Sequence, residues 1–426
     1  MGLKRYKLGD LIEVTRGQSL AGEFYAEEGK YIRLTLGNFD YANGGFKPNT
    51  SKTNLYYTGP IKEQFILEEG DIITPLTEQT PGLLGSTARI PVSGTYIQSQ
   101  DVALVRCKDG MLDPAFCYYL LPSSSVTKQL AAGAQQTKIR HTSPDKIKDV
   151  VVDIPDISEQ RQIGQLLDAI THKIELNRSI NQNLEALAKQ LYDYWFVQFD
   201  FPDEQGKPYK SSGGKMVWNE KLKREIPEGW AECDLSYYIG RITNGLNPRK
   251  NFVLGSGSNY YVTIRSLVGT DIEWDNCDRC DDEALRKINS RSQLQIGDVI
   301  FSAIGSIGRT YFIQEEPCNW NISETSFTMR AKENINPYFF YALLRSDEVQ
   351  MNADKIAMGS TLRCLVMDSF CKIPSVKIES TLIEDFAKIV QPIYKKIHEV
   401  NQENRQLIKQ RKEVLPLLMN GQVIIK

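Results

Sequence analysis

The chain of 426 residues contains only three histidines and no long hydrophobic run. Its apolar stretches fall short of the ~18 residues that a membrane-spanning helix needs, and its first residues lack the apolar core typical of a signal peptide. Neither sign of charge dominates, because 51 Lys and Arg stand against 53 Asp and Glu, so the total charge neither favours nor excludes a nucleic-acid partner. We therefore expect a cytoplasmic globular protein with two or three domains.

Catalytic and metal-binding signatures are missing as well. No Gly-x4-Gly-Lys-Ser/Thr phosphate loop occurs, and the tetrapeptide Asn336–Phe339 lacks the second proline of the Asn-Pro-Pro-Tyr/Phe motif of adenine methyltransferases. Cys277 and Cys280 form a lone Cys-x-x-Cys pair, which is too few ligands for a structural zinc site, so two reduced thiols are the favoured interpretation. The sequence predicts a chain without catalytic residues or a metal.

What the sequence does contain is an internal repeat. The segment Leu67–Ile73 matches Leu294–Ile300, 227 positions later, and Leu112–Leu121 matches Ile335–Leu344 after 223 positions. Short stretches of β-branched and aromatic residues surround these segments, and each Asx-Pro step is a typical helix start. The repeat predicts two similar mixed α/β modules, each with more strand than helix.

A long stretch with coiled-coil spacing follows each module. The first seam consists of Ile163, Leu167, Ile170, Ile174, Asn177, Asn181, Leu184, Ala188 and Leu191. The second seam consists of Phe386, Val390, Ile393, Ile397, Val400, Asn404, Leu407, Arg411 and Val414. A polar residue in an apolar seam can fix the register, so Asn181 and Asn404, at matched positions, are candidates for aligning the helices. Fraying of the helices around them is the alternative.

These patterns divide the chain into five parts. We expect modules over residues 1–155 and 230–375, long helices over 156–200 and 376–426, and a connector over 201–229. The connector is rich in Gly, Pro, Lys and Glu, which favours a solvated linker over a direct role in function.

The junction Tyr194–Pro202, continued by Gly206–Gly214, is the most specific motif. Together with the repeated Leu-x-x-Gly-Asp-Ile/Val-Ile motif and the matched helices, it resembles the specificity subunit of type I restriction-modification systems, over nearly the whole chain. The resemblance implies an α+β fold with two strand-rich mixed α/β target recognition domains, each followed by a long helix. It further implies that the two helices form an antiparallel coiled coil with pseudo-twofold symmetry.

The resemblance also implies a function. Such a subunit is non-catalytic, reads a bipartite, asymmetric target in double-stranded DNA, and docks two methyltransferase subunits and the motor-nuclease (restriction) subunits. S-adenosylmethionine, ATP and Mg²⁺ would then be bound by the partners, and this chain would need no cofactor. Two alternatives remain open: the recognition subunit of another DNA-methylation or defence system, and a scaffold that binds only proteins.

Side chains that can read base edges are Arg, Lys, Asn and Gln on loops. The candidates in the first module are Arg16, Gln18, Arg33, Asn38, Gln79, Gln98, Gln100, Gln135, Gln136, Lys138 and Arg140. Those in the second are Asn244, Asn247, Arg249, Lys250, Arg265, Ser306, Arg309, Asn319, Asn321, Thr361 and Arg363. The glycines of the segment Gly305–Arg309 would let the backbone approach a phosphate. Because any one of these residues is as readily an ordinary solvated group, the prediction concerns the two sets.

Overall fold

The computed structural model describes residues 2–41, 44–78, 82–133, 140–249, 251–360 and 362–423. Its contacts divide the chain into two units. One unit combines the chain up to Glu175 with the chain from Arg405 onward, and the other is Leu176–Asn404. The predicted mixed α/β composition is confirmed. Among the described residues, no helix is both long and apolar enough to cross a membrane.

The described residues of the first unit form twelve strands and the first helices. The strands are β1 Lys4–Lys7, β2 Ile12–Arg16, β3 Tyr25–Ala26, β4 Tyr31–Arg33, β5 Tyr56–Tyr57, β6 Ile72–Pro75, β7 Thr77–Glu78, β8 Ala88–Arg89, β9 Tyr96–Ile97, β10 Val102–Cys107, β11 Arg140–His141 and β12 Val151–Ile154. The helices are α1 Leu8–Leu11, α2 Pro114–Leu120, α3 Ser124–Gly133, α4 Pro144–Lys148 and α5 Ile157–Tyr192, of which α5 continues into the second unit.

The second unit contains the remaining elements. Its strands are β13 Met216–Asn219, β14 Arg224–Pro227, β15 Ala231–Asp234, β16 Ile239–Asn244, β17 Asn259–Val262, β18 Leu267–Val268, β19 Asp271–Ile272, β20 Asp278–Cys280, β21 Val299–Ser302, β22 Thr310–Phe312, β23 Trp320–Ile322, β24 Ser326–Ala331 and β25 Pro374–Lys377. Its helices are α6 Asp282–Arg291, α7 Pro337–Arg345, α8 Asp347–Ile356, α9 Met367–Cys371 and α10 Ser380–Met419, of which α10 ends in the first unit.

The same sheet is built twice. In the first unit the strand order is β2-β10-β6-β8, in the second it is β16-β24-β21-β22, and all neighbouring strands in both sheets are antiparallel. A parallel pair lies beside each sheet, β4 with β9 and β17 with β23. An antiparallel pair joins the first and last strands of each module, β1 with β12 and β15 with β25. The repeat inferred from the sequence is therefore confirmed as a duplication of the sheet.

Both faces of each sheet are buried, which explains the continuous apolar run of the repeated motif. Neighbouring residues of a strand point to opposite faces. In β6, Ile72 packs in the cluster that contains Phe116 of α2, whereas Ile73 packs in another cluster with Leu34 and Phe39. In the second module, Val299 and Phe301 likewise pack on one face of β21 and Ile300 on the other.

The Gly-Asp pair of the motif makes the turn that precedes this central strand. Gly70 and Gly297 have φ values of 86° and 90°, which side chains with a Cβ rarely adopt. Asp71 and Asp298 each accept a hydrogen bond from the backbone N–H three residues earlier, at 3.0 and 2.9 Å. The motif that marks the repeat is therefore a structural turn.

Both predicted Asx-Pro helix starts are confirmed. Asp113 caps α2 by accepting a hydrogen bond from the N–H of Phe116 at 3.0 Å, and Asn336 caps α7 by accepting one from Tyr338 at 3.1 Å. The segment that partly matches a methyltransferase motif is thus the first turn of a helix.

Two long helices follow the modules, as predicted. After Tyr192, α5 continues in a π-helical turn, Asp193–Val197. The second helix was expected to begin at residue 376. It begins at Ser380, because residues 374–377 form β25. Every member of the two predicted seams is buried or partly buried.

The connector is a folded segment of the second unit, so the expectation of a solvated linker is wrong. The Phe201 ring stacks on Tyr209 and Trp230, with centroids 4.9 and 5.2 Å apart. The carboxylate of Asp200 accepts hydrogen bonds from the hydroxyl and the backbone N–H of Ser211, at 2.6 and 2.7 Å. These bonds lower the pKa of Asp200. Residues of the junction motif therefore pack on each other.

Candidate nucleic-acid interface

In the first module, a short antiparallel pair joins two of the loops that contain predicted DNA contacts. Strand β7 pairs with β11 in the register Glu78 with Arg140 and Thr77 with His141. Gln79 directly follows β7, and the tract with Gln135, Gln136 and Lys138 directly precedes β11. Gln79, Gln135, Gln136 and Lys138 themselves lie outside the described residues.

The anchor of this pair is the buried carboxylate of Glu78. Its Oε2 accepts hydrogen bonds from the N–H groups of Leu83 and Leu84, at 2.7 and 3.0 Å, and Arg140 Nη1 lies 3.6 Å from its Oε1. Burial raises the pKa of Tyr41 to about 12, and the negative charge of Glu78 makes a smaller contribution to this shift. Glu78 was not among the residues predicted from the sequence, since an acid in a polar tract gives no sign that it is buried.

Three further candidates of the first module lie where β2 ends beside the turn between β9 and β10. Arg16 donates from Nε to the carbonyl of Gln100 at 2.8 Å, and Gln18 donates from Nε2 to the carbonyl of Pro60 at 3.1 Å. The side chains of Arg16 and Gln100 are exposed. A Cβ on Gly17 would lie 2.3 Å from the carbonyl oxygen of Ser99, so only glycine permits this close approach of the two chain segments.

In the second module the corresponding loops also come together. Ile304 forms an isolated antiparallel β-bridge with Cys364, and Cys364 forms another with Met358. The N–H of Gly305 donates to the carbonyl of Arg363 at 2.8 Å. Residues 358–360 and 362–364 thus form the two arms of a small hairpin beside the turn that begins at Gly305. We call residues 358–360 and 362–364 the recognition hairpin.

The turn between β21 and β22 is held by its own polar groups. Ser302 Oγ donates to the carbonyl of Ser306 at 2.6 Å and accepts from the N–H of Arg309 at 2.8 Å. The Arg309 guanidinium donates to the carbonyls of Ile264 and Leu267, at 3.0 and 2.9 Å. The side chain of Ser306 is exposed at the turn.

The other described candidates of the second module lie on neighbouring segments. The side-chain oxygen Oδ1 of Asn244 accepts a hydrogen bond from Arg291 at 2.6 Å, and the Asn247 amide donates to Glu324 at 2.7 Å. Arg265 is exposed, 3.6 Å from a carboxylate oxygen of Asp278. Two more candidates, Arg249 and Asn319, are exposed. Lys250 and Thr361 lie outside the described residues.

Four candidates are buried inside their modules: Arg33, Asn38, Gln98 and Asn321. Arg33 stacks over the Tyr25 ring at 3.8 Å and donates to a backbone carbonyl. The Asn321 amide donates to a side chain and a backbone carbonyl at 2.6 and 2.9 Å, and its oxygen accepts two more bonds. These polar groups bind partners in their own module.

Within the described ranges, no cluster of three His, Cys, Asp or Glu side chains could hold a metal ion. Cys277 and Cys280 pack in different apolar clusters, one with Trp320 and the other with Tyr261. Burial raises the pKa of both thiols.

The two register candidates are buried between the long helices of the second unit, but they do not pair with each other. Asn404 accepts a hydrogen bond from the amide of Asn177 at 3.0 Å. Asn181 donates to the side chain of Asn401 at 2.6 Å and to the carbonyl of Ile397 at 3.3 Å.

Comparison with known proteins identifies the first half of the chain. Residues 2–186 match the family model of the type I restriction modification DNA specificity domain. These residues are thus similar to that specificity domain. The specificity domain therefore includes the first duplicated sheet and most of α5.

Relatives of this specificity domain extend the likeness beyond residue 186. The type I restriction enzyme MjaIX specificity subunit of Methanocaldococcus jannaschii is 24% identical over 324 residues, which are 75% of this chain and 71% of that protein. The EcoBI specificity subunit of Escherichia coli is 23% identical, over 78% of this chain and 69% of its own. The crystal structure of the type I S subunit from M. genitalium matches with a TM-score of 0.59 at 17% identity, over 98% of this chain and 96% of that one. The resemblance to specificity subunits is thus confirmed, and the fold likeness covers both modules.

Proposed function

We propose that this protein is the non-catalytic specificity subunit of a type I restriction-modification complex and reads a bipartite, asymmetric target in double-stranded DNA. The observation that supports this most is a pairing that both modules share: the segment that follows the central strand of the duplicated sheet pairs with a second loop that contains predicted DNA contacts. The loops differ between the modules while the sheet is retained, so the two half-sites differ in sequence.

The long helices form, in this proposal, an antiparallel coiled coil that sets the spacing of the half-sites. The order of their contacts supports this, since Asn177 meets Asn404 and the later Asn181 meets the earlier Asn401. The modules are then related by an approximate twofold axis, as in other paired DNA readers. Two methyltransferase subunits dock on this chain, and restriction subunits complete the complex. S-adenosylmethionine, ATP and Mg²⁺ belong to these partners.

Methylome sequencing of cells with and without the chain tests the proposal. We expect one gapped, asymmetric adenine-methylation motif to disappear when the chain is removed. Ser306→Glu should also abolish the motif, because it adds a carboxylate at the turn proposed to face phosphates. Gln295→Glu is the matched control, since it adds the same charge to an exposed residue at the other end of β21.

If no motif depends on the chain, the proposal is wrong and a protein scaffold remains. If the motif is present but DNA is not cleaved when a restriction subunit and ATP are added, the chain serves a methylation system without a nuclease.

A further inference from the structure

The recognition hairpin carries two apolar side chains that face solvent. Leu362 is 65% exposed and Met358 is 61% exposed. Single exposed apolar residues are ordinary on protein surfaces, but two on one short hairpin beside a turn with predicted DNA contacts indicate a contact surface. The hairpin is ordered by two backbone hydrogen bonds between Met358 and Cys364, at 2.9 and 2.7 Å.

These side chains lie beside the turn at Gly305. A Cβ added to Gly305 would be 3.9 Å from Leu362 Cδ1 and 4.0 Å from Ile264 Cδ1. Leu362 and Ile264 therefore flank the position that a side chain of Gly305 would occupy, and their side chains form an apolar surface there. Gly305 has a φ of 84°, which would strain the backbone of any residue with a Cβ. A side chain at this position would also contact Leu362.

Arginines surround this apolar surface. Arg309 donates to the carbonyl of Ile264, and the exposed Arg265 is the next residue along the chain. Arg363 pairs with the side chain and the backbone carbonyl of Asp354, which ties the hairpin to the end of α8. An apolar group framed by cations suits DNA, because arginine binds phosphates and base edges while aliphatic groups contact the thymine methyl in the major groove.

We propose that Leu362, assisted by Met358, reads the 5-methyl group of a thymine in the half-site bound by the second module. This inference rests on the proposed function, since it assigns a base contact to the same DNA interface. It requires that the second half-site contain at least one A·T pair.

Deoxyuridine tests the contact, because it removes only the methyl group from thymine. The chain, assembled with its methyltransferase subunits, is titrated with a fluorescent duplex that carries the motif found by methylome sequencing. In a second duplex every thymine of one half-site is replaced by deoxyuridine. We expect Kd to rise roughly fourfold per contacted methyl, the scale for burying one apolar carbon, and only when the replaced half-site is the one read by the second module.

A double-mutant cycle assigns the effect to Leu362. The Leu362→Ala variant should bind the thymine duplex more weakly than the wild-type chain does. For the deoxyuridine duplex, the variant and the wild-type chain should have the same Kd. Leu362→Met, which keeps an aliphatic group there, should retain the preference for thymine. Ile296→Ala is the control, because Ile296 is 58% exposed and precedes β21, whereas the Gly305 turn follows that strand.

Three results would overturn the inference. Specific binding that is unaffected by deoxyuridine in either half-site would refute the methyl contact and leave the proposed function intact. A second half-site without an A·T pair would do the same. If Leu362→Ala reduces the methyltransferase that co-elutes with the chain and affects both duplexes equally, the hairpin binds a protein. Absence of specific binding to the unmodified duplex would instead refute the proposed function itself.

Discussion

The aspartate of the repeated Gly-Asp turn is paired differently in the two modules. Asp298 is 1% exposed in its side chain and accepts two hydrogen bonds from Arg330 of β24, at 2.7 and 2.8 Å. These bonds raise the pKa of Arg330. The matched Asp71 is 14% exposed, and Arg106 of β10 approaches it only to 3.9 Å. The two turns have the same backbone hydrogen bond, so the ion pair is the main difference.

This difference predicts unequal costs for the same substitution. Asp298→Ala should lower the free energy of unfolding by about 3 kcal/mol, the lower end for a broken buried pair because Arg330 is partly exposed. Asp71→Ala should cost about 1 kcal/mol, since it loses mainly the turn hydrogen bond. Hydrogen exchange of the β6 and β21 amides measures each module separately. Equal losses would show that the turn bond, and not the ion pair, dominates.

Single residues also show what the sequence could and could not predict. The Gly-Asp turns and the Asx-Pro helix starts were predictable because their causes are local. The burial of Arg33 and Asn321 was not, because the groups that bind them, such as Asn54 and Ser292, are distant in the sequence.

At the scale of the elements, the coiled-coil spacing predicted both long helices and their buried faces. It did not predict which asparagines would meet, because the seam alone does not specify how one helix is shifted along the other. Contacts between loops were even harder to predict from the sequence. Ile304 and Cys364 are 60 positions apart, and their bridge joins two loops that had been predicted separately. The packed connector was missed because its Gly, Pro and Lys content conceals three aromatic residues that stack on each other.

The asparagine pair between the helices leads to a prediction about register. Asn177→Leu or Asn404→Leu alone should destabilise the helix pair by about 1–3 kcal/mol, because each breaks the hydrogen bond between the two buried amides. The double variant should recover most of this stability, since two leucines pack in the seam. If the asparagines define the register, the double variant should methylate targets with a broader range of gaps.

Urea unfolding of the helix pair and methylome sequencing provide the two measurements. Ile397→Leu is a control for repacking, because it changes the shape of a seam residue without changing its polarity. A double variant that keeps one sharp gap length would contradict the register role of these residues.

At the scale of the whole molecule, both long helices contribute to both units. The first unit includes α5 up to Glu175 and α10 from Arg405 onward. In that unit Arg411 donates to the hydroxyl of Thr171 at 3.2 Å, and Leu418 and Met419 pack in the same cluster as Ile163. Shortening α5 alone would therefore leave α10 longer than α5 between the two units. A test of whether the helices set the spacing must shorten both of them together.

Deleting residues 169–175 together with 406–412 removes one heptad from each helix and preserves the phase of both seams. At ~1.5 Å per residue each helix loses roughly 10 Å, so the preferred gap should shrink by roughly three base pairs of ~3.4 Å. Methylome sequencing should then find both half-sites unchanged and closer together. Deletion of 169–175 alone should abolish specific methylation, because the helices no longer match in length. An unchanged gap in an active double-deletion variant would exclude the helices as the element that sets the spacing.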